Sequence, residues 1–475
     1  MDAYSLIVIL AALAFLIFMA YRGHSVILFA PIAALLAVLL THPSLILPVY
    51  TNLFMAKMVT FVQNYFPIFM LGALFGKLME TSGFAKSIAK AVVKRVGARF
   101  TMLAVILVGG ILTYGGVSLF VAVFAVYPFA AEMFRAANIP KKLLPAAIAM
   151  GAFSFTMDAL PGTPQIQNII PTTYFGTTSF AAPVLGIVGS IFVLAVGLLY
   201  LERERRKAQA AGEGYGDHTL NEPAPSSPDE KLVNPFLAAI PLIITWVANL
   251  VFTKTLPLMF PKVIEFSNTA VPSATADPAT LITKVTTSGS VATWALVAAL
   301  VLGIATIFAL AGKKIAPVFI PNSKDAIAGS LLASLNTASE FGFAGVIASL
   351  SGFRVAADAL MSIPNPLVRI SVTVNALAGC VGSASGGLSM ALGAMADRFK
   401  ADALAANIPL DVVARVASMA SGGMDTLPHN GAVITVLMVT GMTHRQSYKY
   451  IFAVTILKIL APFFVIGFYY LTGLV

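Results

Sequence analysis

A short polar passage interrupts apolar sequence twice, once in each half of the chain. Met157-Asp158-Ala159-Leu160-Pro161-Gly162-Thr163-Pro164 has its counterpart in Met424-Asp425-Thr426-Leu427-Pro428-His429-Asn430-Gly431. Each copy sets an aspartate before helix breakers, where the surrounding hydropathy reads as membrane. A carboxylate at that depth is costly and marks a functional site. Matching Gly/Pro interruptions in two halves point to the binding site of a secondary transporter. The chain is read as a transporter.

Composition agrees. Of the 475 residues, 58% are hydrophobic and 11% charged, and the mean hydropathy is +0.89; a soluble globule carries about 25% charged residues. The first apolar run, Leu6 to Tyr21, lacks a basic leader and a small-residue cleavage site, and Val26 to Leu40 follows at once, so it is expected to be a retained span rather than a signal peptide. The formal charge of +10 sits in short Lys/Arg clusters between apolar runs, the signature of cytoplasmic loops. Nucleic-acid binding, which needs a continuous basic face, is excluded. Cys380 is the single cysteine, so neither an internal disulfide nor a cysteine-rich metal site is expected. No residue pattern requires a cofactor.

The chain divides at a linker, 201–233, where a charge run from Glu202 to Lys207 precedes Ala/Gly-rich sequence and then Pro223, Pro225 and Pro228 among serines. Such composition cannot bury a core and reads as a flexible cytoplasmic connection. The flanking halves, 1–200 and 234–475, share further marks in the same order. Ser82-Gly83-Phe84 matches Ser351-Gly352-Phe353, Gly115-Gly116-Val117-Ser118 matches Gly386-Gly387-Leu388-Ser389, and Ala136-Ala137-Asn138-Ile139-Pro140 matches Ala405-Ala406-Asn407-Ile408-Pro409. The spacings are close: Gly83 to Gly115 is 32 residues and Gly352 to Gly386 is 34. Lys86, Lys90, Lys94, Arg95 and Arg99 follow the first Ser-Gly-Phe, whereas Arg354 is balanced by Asp358 after the second. By the positive-inside rule the two copies face opposite sides, so the repeats are inverted. Spans are expected near 5–21, 25–42, 62–79 and 180–200, then near 234–252, 289–311, 325–350 and 450–471.

Between these spans each half needs a shorter device. Basic residues flank both ends of Phe100 to Phe134, so both ends read as cytoplasmic. A crossing takes about 20 residues, and two shorter legs joined at Gly115, Gly116 and Ser118 fit a re-entrant hairpin over about 100–135. The partner hairpin is expected over about 368–404, with Ser385, Gly386, Gly387 and Ser389 at its tip. Small residues also serve close helix packing, but irregular backbone at membrane depth belongs beside protein or a wet cavity. Broken helices are expected over about 142–176 and 411–441.

The first break predicts that Thr163 caps the following half-helix with Pro164 in its first turn. Its free backbone N–H groups would face a substrate carboxylate. Gln165 and Asn168, one turn apart, are expected to share the pocket, and Gln167 only in an irregular segment. In the second half Asn430 is the corresponding cap, Gly431 opens the helix, and His429 lies beside them as a hydrogen-bonding or proton-relay residue. Asp158 and Asp425 are the coupling residues, taking up a proton or joining an all-oxygen sodium site; the competing reading makes each a helix cap. Glu340 is a further intramembrane carboxylate, for scaffold hydrogen bonding or for a second proton.

Gly109 to Phe129, with Thr113-Tyr114-Gly115-Gly116-Val117-Ser118-Leu119-Phe120 and Val126-Tyr127-Pro128-Phe129, resembles the gluconate permease-like family of proton symporters within the ion-transporter superfamily. The resemblance implies a multi-pass bacterial inner-membrane symporter for sugar acids or other small hydroxy-carboxylates. It also implies a homodimer in which a fixed scaffold carries a transport domain moving as an elevator. The break after the first hairpin departs from the His/Pro-rich pattern of the gluconate branch and looks more like relatives linked to 3-hydroxybutyrate and similar short acids. The fold expectation is thus an all-α polytopic membrane protein of two inverted repeats, each with a re-entrant hairpin and a broken helix.

Two rival readings share some of these features. An intramembrane aspartyl protease is recognised by Gly-x-Gly-Asp, and Gly422-Gly423-Met424 before Asp425 does not fit; no enzyme is expected. A cation/proton exchanger, or a sodium-coupled anion symporter, on the same scaffold stays open. Gln165, Asn168 and Asn430 supply neutral donors with no arginine or lysine fork among them, which predicts a monocarboxylate rather than a di- or tricarboxylate.

Overall fold

The chain is described by a computed structural model over residues 2–22, 24–96, 100–117, 119–222, 233–267, 282–428 and 430–475. The sequence dictates long apolar helices cut at Pro and Gly, and the structure follows. The first half comprises α1 (Asp2–Tyr21), α2 (Val26–Thr41), the single turn α3 (Ile46–Pro48), α4 (Met55–Thr81), α5 (Phe84–Val96), α6 (Thr101–Tyr114), α7 (Leu119–Ala136), α8 (Leu144–Ala152), α9 (Phe155–Asp158), α10 (Ile166–Phe175) and α11 (Pro183–Ala210). The second comprises α12 (Pro235–Met259), α13 (Thr287–Ile315), α14 (Phe319–Ser349), α15 (Ser351–Met361), α16 (Pro366–Val381), α17 (Ala384–Ala405), α18 (Leu410–Ser421), a 3-10 turn at Met424–Thr426, α19 (Gly431–Thr440) and α20 (His444–Thr472). Among the described residues six helical stretches are long and apolar enough to cross a membrane. The protein is an all-α polytopic membrane protein. One small departure is an antiparallel pair, β1 (Val263–Ser267) and β2 (Ile282–Thr286), in register Val263 with Thr286.

The order of elements recurs. The helix pair α6/α7 matches α16/α17, the interrupted run α8–α9–α10 matches α18–turn–α19, and α11 matches α20. The duplicated motifs share backbone as well as sequence: Asn138 and Asn407 both have positive φ, 48° and 54°, a conformation asparagine tolerates better than most residues. Each half has a helix pair joined by a tight turn, and the expected second tip is corrected: Ser385, Gly386, Gly387 and Ser389 lie in α17, past the turn, because the helix starts at Ala384 once Ser383 caps it. The first pair turns at Gly116, whose φ of +98° only glycine adopts without strain; the second turns at Gly382 and Ser383.

The broken runs of both halves pack into one body. α10 lies against α17 and α18, α8 and α18 against α20, and α11 against α20. Beside it, α4 packs along α14, α12 along α13, and α1 and α2 on each other and on α15 and α14.

The expectation of a loose linker over 201–233 is corrected for its first part. α11 continues to Ala210 because Leu201 and Ala208 are buried and Arg205 and Lys207 pair with Glu202 and Glu204 one turn away. The next residues then lie down on the protein. Glu222 pairs with Arg135 and Lys141, Lys142 with Glu213, Tyr127 Oη donates to the Asn221 carbonyl at 2.8 Å, and Asn221 Nδ2 donates to the Met438 carbonyl at 2.7 Å. The proline-rich remainder, 223–232, lies outside the described residues.

Candidate functional site

Both halves of the chain contribute to a cavity of about 860 Å³. Its wall includes Gly116 from the first hairpin, Pro164, Gln165, Ile166 and Gln167 from the first break, and Asp425, Asn430 and Gly431 from the second. Gly382 to Ser385 of the second hairpin and Asn336, Thr337 and Glu340 of α14 complete it, with His24, Lys77, Glu80 and Asp325 also on the wall. The first residues of α10, α17 and α19 therefore all border the same space. Each such terminus carries roughly half a positive charge.

The second break behaves as its sequence predicts. Asn430 Oδ1 accepts from the amides of Ala432 and Val433, at 2.6 and 3.3 Å, and Nδ2 donates to the Gly382 carbonyl at 2.6 Å. One asparagine thus caps α19 and ties it to the tip of the second hairpin. His429 lies outside the described residues, as does Ser118.

The first break differs in detail. α10 starts at Ile166 with Gln165 as its extended N-cap residue, two positions later than expected. Thr163 is fully buried and donates to the Thr156 carbonyl at 2.7 Å, so it is not the cap. Gln165 Nε2 donates to the Thr113 carbonyl at 2.8 Å, fastening the break to the first hairpin. Gln165 and Gln167 both border the cavity, whereas Asn168, about 100° round the helix from Gln167, does not. Gln167 lines it, with a buried Oε1 that has no hydrogen-bond partner. Asn168 is saturated: Nδ2 donates to the Thr163 and Ser179 carbonyls, and Oδ1 accepts from Arg415.

The hairpin residues also separate. Gly116 and Ser385 border the cavity, while Gly115 lines a small cleft beside Trp246. Gly386 sits against Glu340, and Gly387 packs on the backbone of Ala378 in the other leg of its hairpin. Ser389 is buried off the wall.

Neither aspartate caps the helix after it. Asp158 and Asp425 are 4% and 6% exposed, and between them stands the ammonium of Lys458 from α20, 2% exposed. Lys458 Nζ donates to Asp425 Oδ1 at 2.9 Å and to the Phe153 carbonyl at 2.5 Å, and lies 3.6 Å from Asp158 Oδ2. Asp158 Oδ2 itself has no hydrogen-bond partner. Gly422 lets the two breaks approach: a Cβ there would fall 1.7 Å from Asp158 Oδ2.

A second buried cation holds the frame. Arg415 of α18 donates to the Ala181 carbonyl at 2.8 and 3.0 Å and to Asn168 Oδ1 at 2.8 Å, and Ser418 Oγ donates to the Asp158 carbonyl at 2.7 Å. These bonds bind α18 of the second half to the break of the first. Neither Lys458 nor Arg415 lines the cavity wall, but both are buried cations that the sequence reading did not name. The signal was in the sequence, since Lys458 and Arg415 each stand in apolar helical runs where any ionisable group is a functional candidate. Among the described residues no group of three or more His, Cys, Asp or Glu could hold a metal ion.

No protein-family model matches the chain. It is 52% identical over 478 residues to the uncharacterized transporter YxjC of Bacillus subtilis (strain 168), an alignment covering 99% of this chain and 100% of that protein. Its fold is similar to that of the Alcanivorax borkumensis YdaH transporter, with a TM-score of 0.53 at 15% identity, over 90% of this chain and 89% of that one. A further similarity is to Neisseria gonorrhoeae MtrF, with a TM-score of 0.46 at 14% identity, over 86% of this chain and 83% of that one. The 52% identity to YxjC bears out a transporter and lends no support to the gluconate permease branch.

Proposed function

The chain belongs to the family of the Bacillus subtilis transporter YxjC and is a membrane transporter rather than an enzyme, and on that premise we propose that it carries a small hydroxy-carboxylate across a bacterial inner membrane in symport with protons. The observation that carries the reading is the buried Asp158–Lys458–Asp425 cluster at the edge of the shared cavity. Two carboxylates face one ammonium. Asp425 is satisfied by its hydrogen bond from Lys458, whereas Asp158 Oδ2 is left open. A buried charged oxygen without a hydrogen-bond donor is unfavourable, and a proton on it removes the charge. Sodium fits less well, because an ammonium already stands where a metal ion would bridge the two carboxylates and sodium wants oxygen ligands alone.

An organic anion suits the opposite wall. The starts of α10, α17 and α19 offer partial positive charge, and Gln167, Ser383 and Ser385 offer donors for a hydroxyl. A short acid such as 3-hydroxybutyrate or a sugar acid matches this better than a tricarboxylate. In the same reading the halves are inverted repeats, the hairpins and broken helices form a transport domain, and α1, α2, α4 and α12–α14 form the scaffold of a homodimer working as an elevator.

The test is uptake into proteoliposomes under an imposed pH gradient, with a panel of labelled hydroxy acids, with and without sodium. Proton-driven uptake of a short hydroxy acid is expected, and Asp158→Asn and Asp425→Asn should each abolish it in protein that still inserts. Near wild-type proton-driven uptake in both variants, or uptake that requires sodium instead, would overturn the proposal. A response to cations without any organic acid would identify an exchanger.

A further inference from the structure

Glu340 stands apart from the lysine cluster. It lines the cavity from α14, is 3% exposed, and its Oε2 is buried without a hydrogen-bond partner. Opposite it is the tip of the second hairpin. A Cβ on Gly386 would fall 1.7 Å from Glu340 Oε2 and 3.1 Å from Ser383 Oγ, so the carboxylate lies on bare glycine backbone beside a hydroxyl. Ser383 Oγ and Ser385 Oγ are 3.4 Å apart, and Ser385 Oγ is 3.3 Å from Thr337 Oγ1. The carboxylate thus adjoins a row of three hydroxyls at the place where hairpin, cavity and α14 meet.

No charge nearby compensates it. The titratable groups sharing the cavity wall are His24, Lys77, Glu80, Asp325 and Asp425. Packed against α14, α4 adds Lys57 and Tyr65, the π-helical turn Val49–Phe54 adds Tyr50, α15 carries Arg354 and Asp358, and the charges of α17 begin at Asp397, three turns beyond Gly386. Among the described residues none of these makes a hydrogen bond or ion pair with Glu340. An isolated buried carboxylate is strongly disfavoured as a charge.

We infer that Glu340 is a second proton-carrying site, so that each substrate molecule enters with two protons, one on the lysine cluster and one on Glu340. This rests on the proton-symport reading above. The step is a protonation: Glu340 Oε2 forms an O–H bond with a proton from the uptake side, the carboxylate loses its charge, and the same proton leaves to the opposite side after transport. Nothing is oxidised or reduced. The neutral acid leaves no uncompensated buried charge between the hairpin tip and α14.

The test is the reversal potential of uptake in proteoliposomes at set pH and substrate gradients, for the wild type and for E340Q. Substrate binding is followed alongside by calorimetry in two buffers of different ionisation enthalpy. Two protons per substrate are expected in the wild type and one in E340Q, which should bind substrate at least as tightly because glutamine mimics the protonated acid. A wild-type ratio of one, an unchanged ratio in E340Q, or a folded E340Q that does not bind would overturn the inference. Should E340Q fail to insert, the wild-type ratio together with E340D, which should keep two protons, decides it. Uptake indifferent to the pH gradient would instead sink the symport reading itself.

Discussion

Replacing Lys458 by methionine tests whether the ammonium is what allows two carboxylates to share the core. Lys458 donates to Asp425 at 2.9 Å and to the Phe153 carbonyl at 2.5 Å, and stands 3.6 Å from Asp158. Methionine keeps the volume and removes all three. Breaking a buried ion pair by deleting one partner costs about 3–5 kcal/mol, because the other charge is left uncompensated; at about 1.4 kcal/mol per decade that lowers the folded-to-unfolded ratio by roughly a hundredfold or more. Asp425→Asn alone should cost about 1 kcal/mol, since Lys458 still faces Asp158 and an amide oxygen can still accept a neutral-type bond. The double variant has one uncompensated carboxylate rather than two, so it should be more stable than the sum of the singles, with a coupling of about 2 kcal/mol, inside the usual range for contacting residues. Unfolding by titration with dodecyl sulfate in mixed micelles measures each variant. Additivity within about 0.5 kcal/mol would show that the pair carries no interaction and that the electrostatic account of the cluster is wrong.

Gly422→Ala should reduce coupled uptake at least tenfold, because its methyl would meet Asp158 Oδ2 at 1.7 Å and Lys458 Cε at 2.8 Å. Gly431→Ala, with nothing within 4 Å of the new atom, should retain it; equal uptake rates in the two variants would refute the steric argument. Gly387→Val should fail in expression or detergent stability rather than in transport alone, since its Cβ would lie 2.2 Å from the Ala378 backbone, whereas Gly116→Val should fold with strain at a φ of +98° and lose uptake; full activity in both would place the tips away from the pathway. Glu222 predicts an acid-sensitive strap outside the membrane-spanning segments. Burial pushes its carboxyl up, but bonds from Lys141, Tyr215 and Arg135 outweigh that and hold it below the ordinary value of 4.5. A depressed folded value means the strap's stabilisation is present above that pH and is lost as pH falls through the lowered value. Limited proteolysis within 211–222 should therefore be slow in the wild type at neutral pH, faster as pH drops below about 4.5, and fast at neutral pH in Glu222→Gln; identical cleavage of both proteins at neutral pH would remove the role assigned to Glu222.

Local rules were enough for much of this protein. Apolar runs of crossing length, separated by Gly/Pro interruptions in matching order, determine helices, hairpins and breaks, because a helix can be read from its own residues and its ends from breakers and caps. Asn430 caps α19 as its sequence requires, and both aspartates fall at the breaks where the duplicated motif puts them. What lay beyond the sequence depended on rotation and on distance between elements. Within α10, Gln167 faces the cavity while Asn168, about 100° of helix rotation away, enters the frame, a choice that composition does not encode. The docking of 211–222 arose because Glu222 meets Arg135 and Lys141 from far along the chain, so a segment polar enough to look free is tied by partners. Lys458, 33 residues from Asp425 and 300 from Asp158, became the centre of the site only when α20 packed between the two breaks. Ionisable residues in apolar sequence announce that partners are needed; only tertiary packing decides which ones come within reach, since that pairing is set by distances of 3–4 Å across elements whose order in the chain does not specify them.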